Sequence, residues 1–223
     1  MSKYVIHACP ERMWYVDNYL VPSMKSQGIS NIVIRCDNNK LGNLESCMEI
    51  FGSMMEDDME DGMDDGDSGS WHLQDDVIIC NNFRKLTEQY DYGIVCGFTA
   101  TASAYHGTVK PDHMWWSFPC IRIPDAIAKE CSEWFYSFAK GYAKYYEWVH
   151  MNKCDDNFFR EFLKSKYPYI DIINLIPNLV DHIDFLLGGS VVNQYRGENQ
   201  VRSVYFKDQH LIHQLSDSIR GNR

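Results

Sequence analysis

Asn31-Ile32-Val33-Ile34-Arg35-Cys36 is a continuous β-branched run, the pattern of a strand buried on both faces of a sheet, and it ends at the turn-forming cluster Asp37-Asn38-Asn39. Upstream, Val5 to Ala8 reads as a first strand. Between the two, Met13 to Lys25 places Val16, Tyr19, Leu20 and Met24 on one helical face, with Pro22 predicting a kink or restart. Strand, helix and strand in this order predict a parallel βαβ unit and an α/β fold. Downstream, Gly42 to Phe51 carries Leu44, Met48 and Phe51 at helical spacing. Met54 to Ser70 then becomes a Glu/Asp/Gly/Met tract with too little apolar surface to offset its ordering entropy, so a flexible loop is expected there.

Order is expected to resume at Trp71-His72-Leu73, followed by Gln74-Asp75-Asp76 and the apolar Val77-Ile78-Ile79-Cys80, a buried strand pattern interrupted by acids. Tyr92 to Phe98 reads as another strand. Pro124 suits the first turn of a long helix reaching about Glu147, in which Trp134, Phe135, Tyr136, Phe138, Tyr142 and Tyr145 read mainly as core. A shorter helix follows Asp155-Asp156. A Pro177-anchored segment with His182, a Gly188-Gly189 turn, a polar stretch and a last helix near Asp208 to Arg220 complete the chain. His210 and His213 share a face of that helix and read as a surface pair.

With 223 residues, 45% of them hydrophobic, the chain is long enough for one core, and a single domain over residues 1–223 is expected. No run approaches the roughly 18–20 apolar residues of a membrane span, and Tyr4-Val5-Ile6 opens as a strand without a signal-peptide core, so a cytoplasmic protein with no membrane partner is expected. The eight cysteines are scattered, mostly in apolar runs and without C-x-x-C spacing, which predicts reduced, buried thiols over disulfides or a zinc site. The net charge of −10 is local: eight acids lie between Glu56 and Asp67, leaving about −2 elsewhere. Calcium-loop frames at Asp57 and Asp61 fail because Met59 and Met63 occupy a ligand position.

Asp75 and Asp76 carry the most chemical information. Carboxylates between apolar runs are costly unless they lie exposed at a strand end or are neutralised by a cation. A magnesium or manganese ion shared with substrate phosphates is one solution, and solvated acids at a strand end are the other. Asp155-Asp156, ahead of an apolar helix, reads as an N-cap with an acid in the first turn, a role compatible with positioning a neighbouring group.

Several segments in order resemble the GT-A glycosyltransferases, especially the small family that includes bacterial and phage enzymes. Val5-Ile6-His7-Ala8-Cys9-Pro10-Glu11-Arg12 is similar to their opening strand and nucleotide-binding turn, and Gly42-Asn43-Leu44 to the start of their second helix. Leu73-Gln74-Asp75-Asp76-Val77 resembles their metal motif, with Gln74 in place of the usual first acid. Pro177-Asn178-Leu179-Val180-Asp181-His182 resembles a late segment whose histidine completes the metal shell, and Arg202-Ser203 falls in the polar stretch that follows.

The resemblance implies a GT-A-like (Rossmann-like) mixed, mostly parallel sheet flanked by helices. It implies a nucleotide-sugar donor, a UDP-sugar, held by Ala8, Arg12, Asp37, Asn43, Gln74 and Asp75. Asp76 and His182 would hold Mn2+ or Mg2+, and Asp156, with Asp155 beside it, would deprotonate an acceptor hydroxyl in an inverting transfer. Arg12 also reads as a surface residue at a helix start, and His182 as a structural histidine. The leading acceptor is a 5-hydroxymethylpyrimidine in phage double-stranded DNA, reached by base flipping in the host cytoplasm. Trp115 and Trp116 could stack on it, and Lys110, Lys153, Arg160, Lys164, Lys166, Arg196 and Arg202 could meet its phosphates. A surface glycan such as lipopolysaccharide is the next acceptor. A metal-dependent nuclease or phosphotransferase, and a non-catalytic interaction protein, are the rival classes.

Overall fold

The computed structural model describes residues 2–54, 68–100, 104–113, 118–141, 155–188, 202–203 and 205–221. Strand β1 (Lys3–Ala8) pairs in parallel with β2 (Ile32–Cys36) on one side and with β3 (Gly69–Gln74) on the other, so the expected βαβ unit is present. β2, however, forms the sheet edge, and all its residues are only half-buried. An apolar run reports what covers a strand's two faces and is silent on which strands flank it.

The helical segment after β1 is broken rather than simply kinked. A 3-10 turn at Pro10–Arg12 leads into α1 (Met13–Tyr15), a π-turn at Val16–Leu20 and α2 (Val21–Ser26). Pro22 lies in the first turn of α2, where its missing N–H costs least, and the wider π-turn resets the register ahead of it.

Helix α3 (Asn43–Gly52) carries the chain from β2 back over β1 to β3. The winding direction therefore reverses between β1 and β3, and the two connections lie on opposite faces. Tyr15, Val16, Leu20 and Met24 pack with Tyr4 and Ile6 on one face; Leu44, Cys47, Met48 and Phe51 pack with Val5 on the other.

The Trp71 to Cys80 segment is two strands in two sheets. β3 stops at Gln74, Asp75 and Asp76 make the turn, and β4 (Val77–Ile79) pairs antiparallel with β9 (Val180–His182). A short helix, α4 (Phe83–Thr87), leads to β5 (Ile94–Cys96), which three further strands join in the large sheet: β6 (Gly107–Val109), β7 (Cys120–Pro124) and β8 (Ile172–Asn174). The seven-stranded order is β2-β1-β3-β7-β5-β8-β6, with β7 and β6 antiparallel to the rest. The fold is thus α/β, with a mixed sheet whose strands mostly run one way. Pro124 ends β7, and α5 (Asp125–Gly141) begins one residue later, so the proline closes a strand instead of opening a helix.

Ala128, Cys131 and Phe135 of α5 cover the second sheet face with Phe158, Phe159, Phe162 and Leu163 of α6 (Asp155–Lys166). Ile212, Leu215 and Ile219 of α7 (Gln209–Gly221) cover the first, leaving His210 and His213 exposed as expected. Met54 is fully buried and Gly69-Ser70 belong to β3, so the ends of the acidic tract are structural, while its middle, residues 55–67, lies outside the described residues. Trp115, Trp116, Tyr142 and Tyr145 also lie outside them. Among the described residues, the seven cysteines form no disulfide. Among the described residues, no helix is long and apolar enough to cross a membrane.

Candidate active site

β1 and β3 run parallel and end side by side, so the residues just past their carboxyl ends meet at the crevice where the winding reverses. Open α/β sheets bind ligands at such crevices. From β1 come Cys9, whose amide donates to Asp75 Oδ2 at 2.7 Å, and Arg12 on the 3-10 turn. Arg12 Nη1 donates to Asp75 Oδ1 at 3.1 Å and also to Asp76 Oδ2. The β4–β9 register pairs Val77 with His182 and so delivers the histidine to the acids. His182 Nε2 lies 3.0 Å from Asp76 Oδ1, and the Ile183 amide donates to the Asp76 carbonyl at 2.8 Å. Behind the ring, Asp184 Oδ1 lies 3.6 Å from His182 Nδ1. Arg12, Asp75, Asp76, His182 and Asp184 are all only 5–7% exposed.

This arrangement rejects the solvated-acid reading and the surface reading of Arg12. Two buried carboxylates demand compensation, and Arg12 and His182 supply it. Burial disfavours the Asp76 anion, but His182 and Arg12 outweigh it and hold the carboxyl down at about 2. Asp75 is raised, by burial and then by the Asp76 charge, against the pull of Arg12. Burial lowers His182, yet Asp76 and then Asp184 leave it raised overall. The Cys9 thiol is pushed up to about 12 by burial and by Asp75, so it is no nucleophile.

Asp155 and Asp156 open α6. Asp155 Oδ1 accepts the Asp156 amide at 3.0 Å and Asp156 Oδ1 accepts the Asn157 amide at 2.7 Å, so both are first-turn acids that satisfy N-terminal amides, with Asp155 inside the helix and not at the N-cap the sequence predicted. Asp155 is buried and Asp156 half-buried. Burial, then the neighbouring Asp156 charge, push Asp155 up to about 8, while backbone amides and the Asn43 side chain pull the other way.

The remaining sequence candidates divide between these places. Ala8 ends β1, and its carbonyl accepts the Asp37 amide at 2.9 Å. The Asp37 carboxylate folds back on its own loop, accepting the Leu41 and Gly42 amides at 3.0 Å each. Gln74 ends β3, in register with His7. Asn43, first in α3, hydrogen-bonds Asp155 and so belongs to the second acid pair.

Sequence reasoning passed over two features. Asp184 was legible only as an acid two residues beyond His182. The second is a buried pair in which His7 Nε2 lies 2.9 Å from His72 Nδ1, with both rings edge-on to Phe51. Burial drives His7 down to about 4, and burial with His7 as its neighbour holds His72 well below its ordinary value. A histidine inside an apolar strand run is the available signal for such a pair.

Asp76 and His182 offer one carboxylate and one imidazole, with Asp184 in the position of a carboxylate that orients a metal-bound histidine. Among the described residues, no group of three His, Cys, Asp or Glu side chains is placed to hold a metal. A zinc site needing three or four protein ligands does not fit. Magnesium or manganese, which take few protein ligands and complete their shell with water and phosphate, do. The chain matches no protein-family model and no curated protein.

Proposed function

We propose that the chain is a metal-dependent glycosyltransferase of the GT-A kind, moving a sugar from a UDP-sugar to an acceptor hydroxyl. One observation carries the reading: Arg12, Asp75, Asp76 and His182, from three separate segments, meet in one buried cluster at the carboxyl ends of β1 and β3. Those are the residues the GT-A resemblance assigns to one donor site.

In this reading Ala8, Asp37, Gln74 and Asp75 line the nucleotide, and Asp76 and His182 hold Mn2+ or Mg2+. The cation's chemistry is to offset the negative charge of the departing diphosphate. Asp156 is the base. Asp155 keeps its proton up to about 8, so at neutral pH the charge of the pair rests on the more exposed Asp156. Asp156 takes the acceptor O–H proton as that oxygen bonds to the anomeric carbon and the bond to the diphosphate breaks, with inversion.

Hydroxymethylated pyrimidine in DNA is the first acceptor to test. A surface glycan such as lipopolysaccharide is the second, favoured by one observation: the described cations expected to meet DNA phosphates are mostly engaged with acids of this chain. Lys110 pairs with Asp171, Arg160 with Glu161, Lys164 with Asp112 and Glu161, and Arg202 with Asp181. Thermal-shift titrations with UDP-sugars, with and without Mn2+, test the donor. Stabilisation by one UDP-sugar that depends on Mn2+ is expected; no response to any nucleotide would sink the proposal. UDP release with hydroxymethylated DNA, plain DNA or lipopolysaccharide then separates the acceptors.

A further inference from the structure

The Asp75–Asp76 cluster already holds a cation of its own. Arg12 reaches both carboxylates through one nitrogen, and His182 takes the other oxygen of Asp76. Asp75 is fixed independently by the Cys9 amide at 2.7 Å, so it keeps a partner whatever happens to Arg12. Asp76 has no such backbone anchor on its carboxylate among the described contacts. A divalent ion entering at Asp76 meets the guanidinium on the same carboxylate, and two cations at that range repel strongly where water is excluded. One of them has to yield.

We infer that Arg12 is a resident counter-ion, displaced from Asp76 when a divalent cation binds and then free to clamp the diphosphate of the donor. This rests on the donor-site reading above and adds binding order to it. A guanidinium fork matches phosphate oxygens in pairs, and Arg12 sits on the short turn at the carboxyl end of β1, beside the acids. Cation and diphosphate should therefore bind synergistically: the ion evicts Arg12, and the phosphates receive it. With the ion alone, Arg12 loses a partner and gains none, so the ion binds weakly.

The test is calorimetric titration of Mn2+ alone into the full chain and its Arg12→Gln variant, repeated in the presence of UDP. Asp76→Asn in each background measures Mn2+ held elsewhere, above all by the acids between Glu56 and Asp67, and is subtracted. Arg12→Gln is expected to bind site Mn2+ on the order of tenfold more tightly than the parent, an ordinary size for coupling between bound groups. UDP should tighten Mn2+ in the parent by a similar factor and change the variant little. Equal or weaker Mn2+ binding by Arg12→Gln overturns the inference, as does UDP that binds the parent and leaves its Mn2+ affinity unchanged. If circular dichroism shows Arg12→Gln unfolded, Arg12→Lys takes its place: it keeps the charge but loses the reach to both acids, and it must still bind Mn2+ more tightly than the parent. UDP that binds neither protein defeats the donor reading instead, and the Mn2+-only comparison still decides whether Arg12 competes with the ion.

Discussion

Asp75-Asp76 and Asp155-Asp156 are the same dipeptide in two settings. Both first residues are buried, and burial with the neighbouring acid raises each of them, yet the buried Asp76 is held ionised while the buried Asp155 holds its proton. The first pair has Arg12 and His182 against it, and its Asp76 stays ionised down to about 2. The second begins a helix, where amides and Asn43 only partly offset burial, and its Asp155 keeps a proton up to about 8. A doubled acid in a sequence therefore states a capacity for charge. The partners that the fold brings from elsewhere decide whether that charge is kept.

The contrast predicts two kinds of activity loss. Asp156→Ala should lower kcat for UDP release about 10²–10⁴-fold, the usual contribution of a general base, while Mn2+-dependent stabilisation by the donor survives. Asp76→Ala should abolish that stabilisation as well. Loss of donor binding in both variants would break the division into donor and acceptor pairs. In urea unfolding without metal, Arg12→Ala should cost about 3–5 kcal/mol, because it leaves buried Asp75 without a counter-ion and Asp76 with His182 alone. Asp155→Asn at pH 7 should cost less than about 1 kcal/mol, since an amide replaces a carboxyl that is already mostly neutral. A large cost for Asp155→Asn would mean that it is ionised and paired after all.

Much of the first pair was legible, because its residues sit at strand ends within short recognisable segments. Arg12, Asp75, Asp76 and His182 could each be singled out, and the pairing of β1 with β3 and of Val77 with His182 was needed to join them. Asp184 escaped because its role exists only once the ring of His182 is oriented. Asn43 was assigned to the nucleotide because Gly42-Asn43-Leu44 resembles the start of the second helix of the GT-A enzymes, whereas its contact with Asp155 depends on α3 packing against α6. The same limit governs the fold. β7 lies centrally between β3 and β5, but Cys120-Ile121-Arg122-Ile123-Pro124 is short and is interrupted by the buried Arg122, which donates to the Gly93 carbonyl at 2.7 Å. A strand satisfied by distant partners leaves a weak local pattern.

The pairs should also shape the two ends of the stability–pH curve in opposite senses. Asp76 is depressed in the folded chain, so its contribution is present above the ordinary value of 3.8 and is lost as pH falls toward about 2. Its size is on the order of 2 kcal/mol. Asp155 is raised, so its contribution is complete below 3.8 and is lost as pH rises through about 8. His182, also raised, adds in the same sense above 6.5. Urea midpoints from pH 2 to pH 9 should show Asp76→Asn flattening the acid limb and Asp155→Asn flattening the alkaline one. An alkaline limb unchanged in Asp155→Asn would assign it to His182 instead.

The smallest expected loss of function concerns Asp184 and sharpens the first pair. Its Oδ1 lies 3.6 Å from His182 Nδ1, too far for a strong hydrogen bond but close enough to bias the ring by charge. Asp184→Asn keeps the shape and one acceptor oxygen while removing that charge. Packing should therefore survive, and thermal stability without metal should move little. What should change is the imidazole's ability to hold a cation. A carboxylate behind a ligating histidine typically contributes about 10–100-fold to metal affinity, and at 3.6 Å the low end, about tenfold, is expected. Mn2+ titrations in the presence of UDP would measure it. Unchanged affinity, with His182→Ala still lowering it, would leave Asp184 as a neighbour of the site and place all the ligand orientation in the β4–β9 pairing.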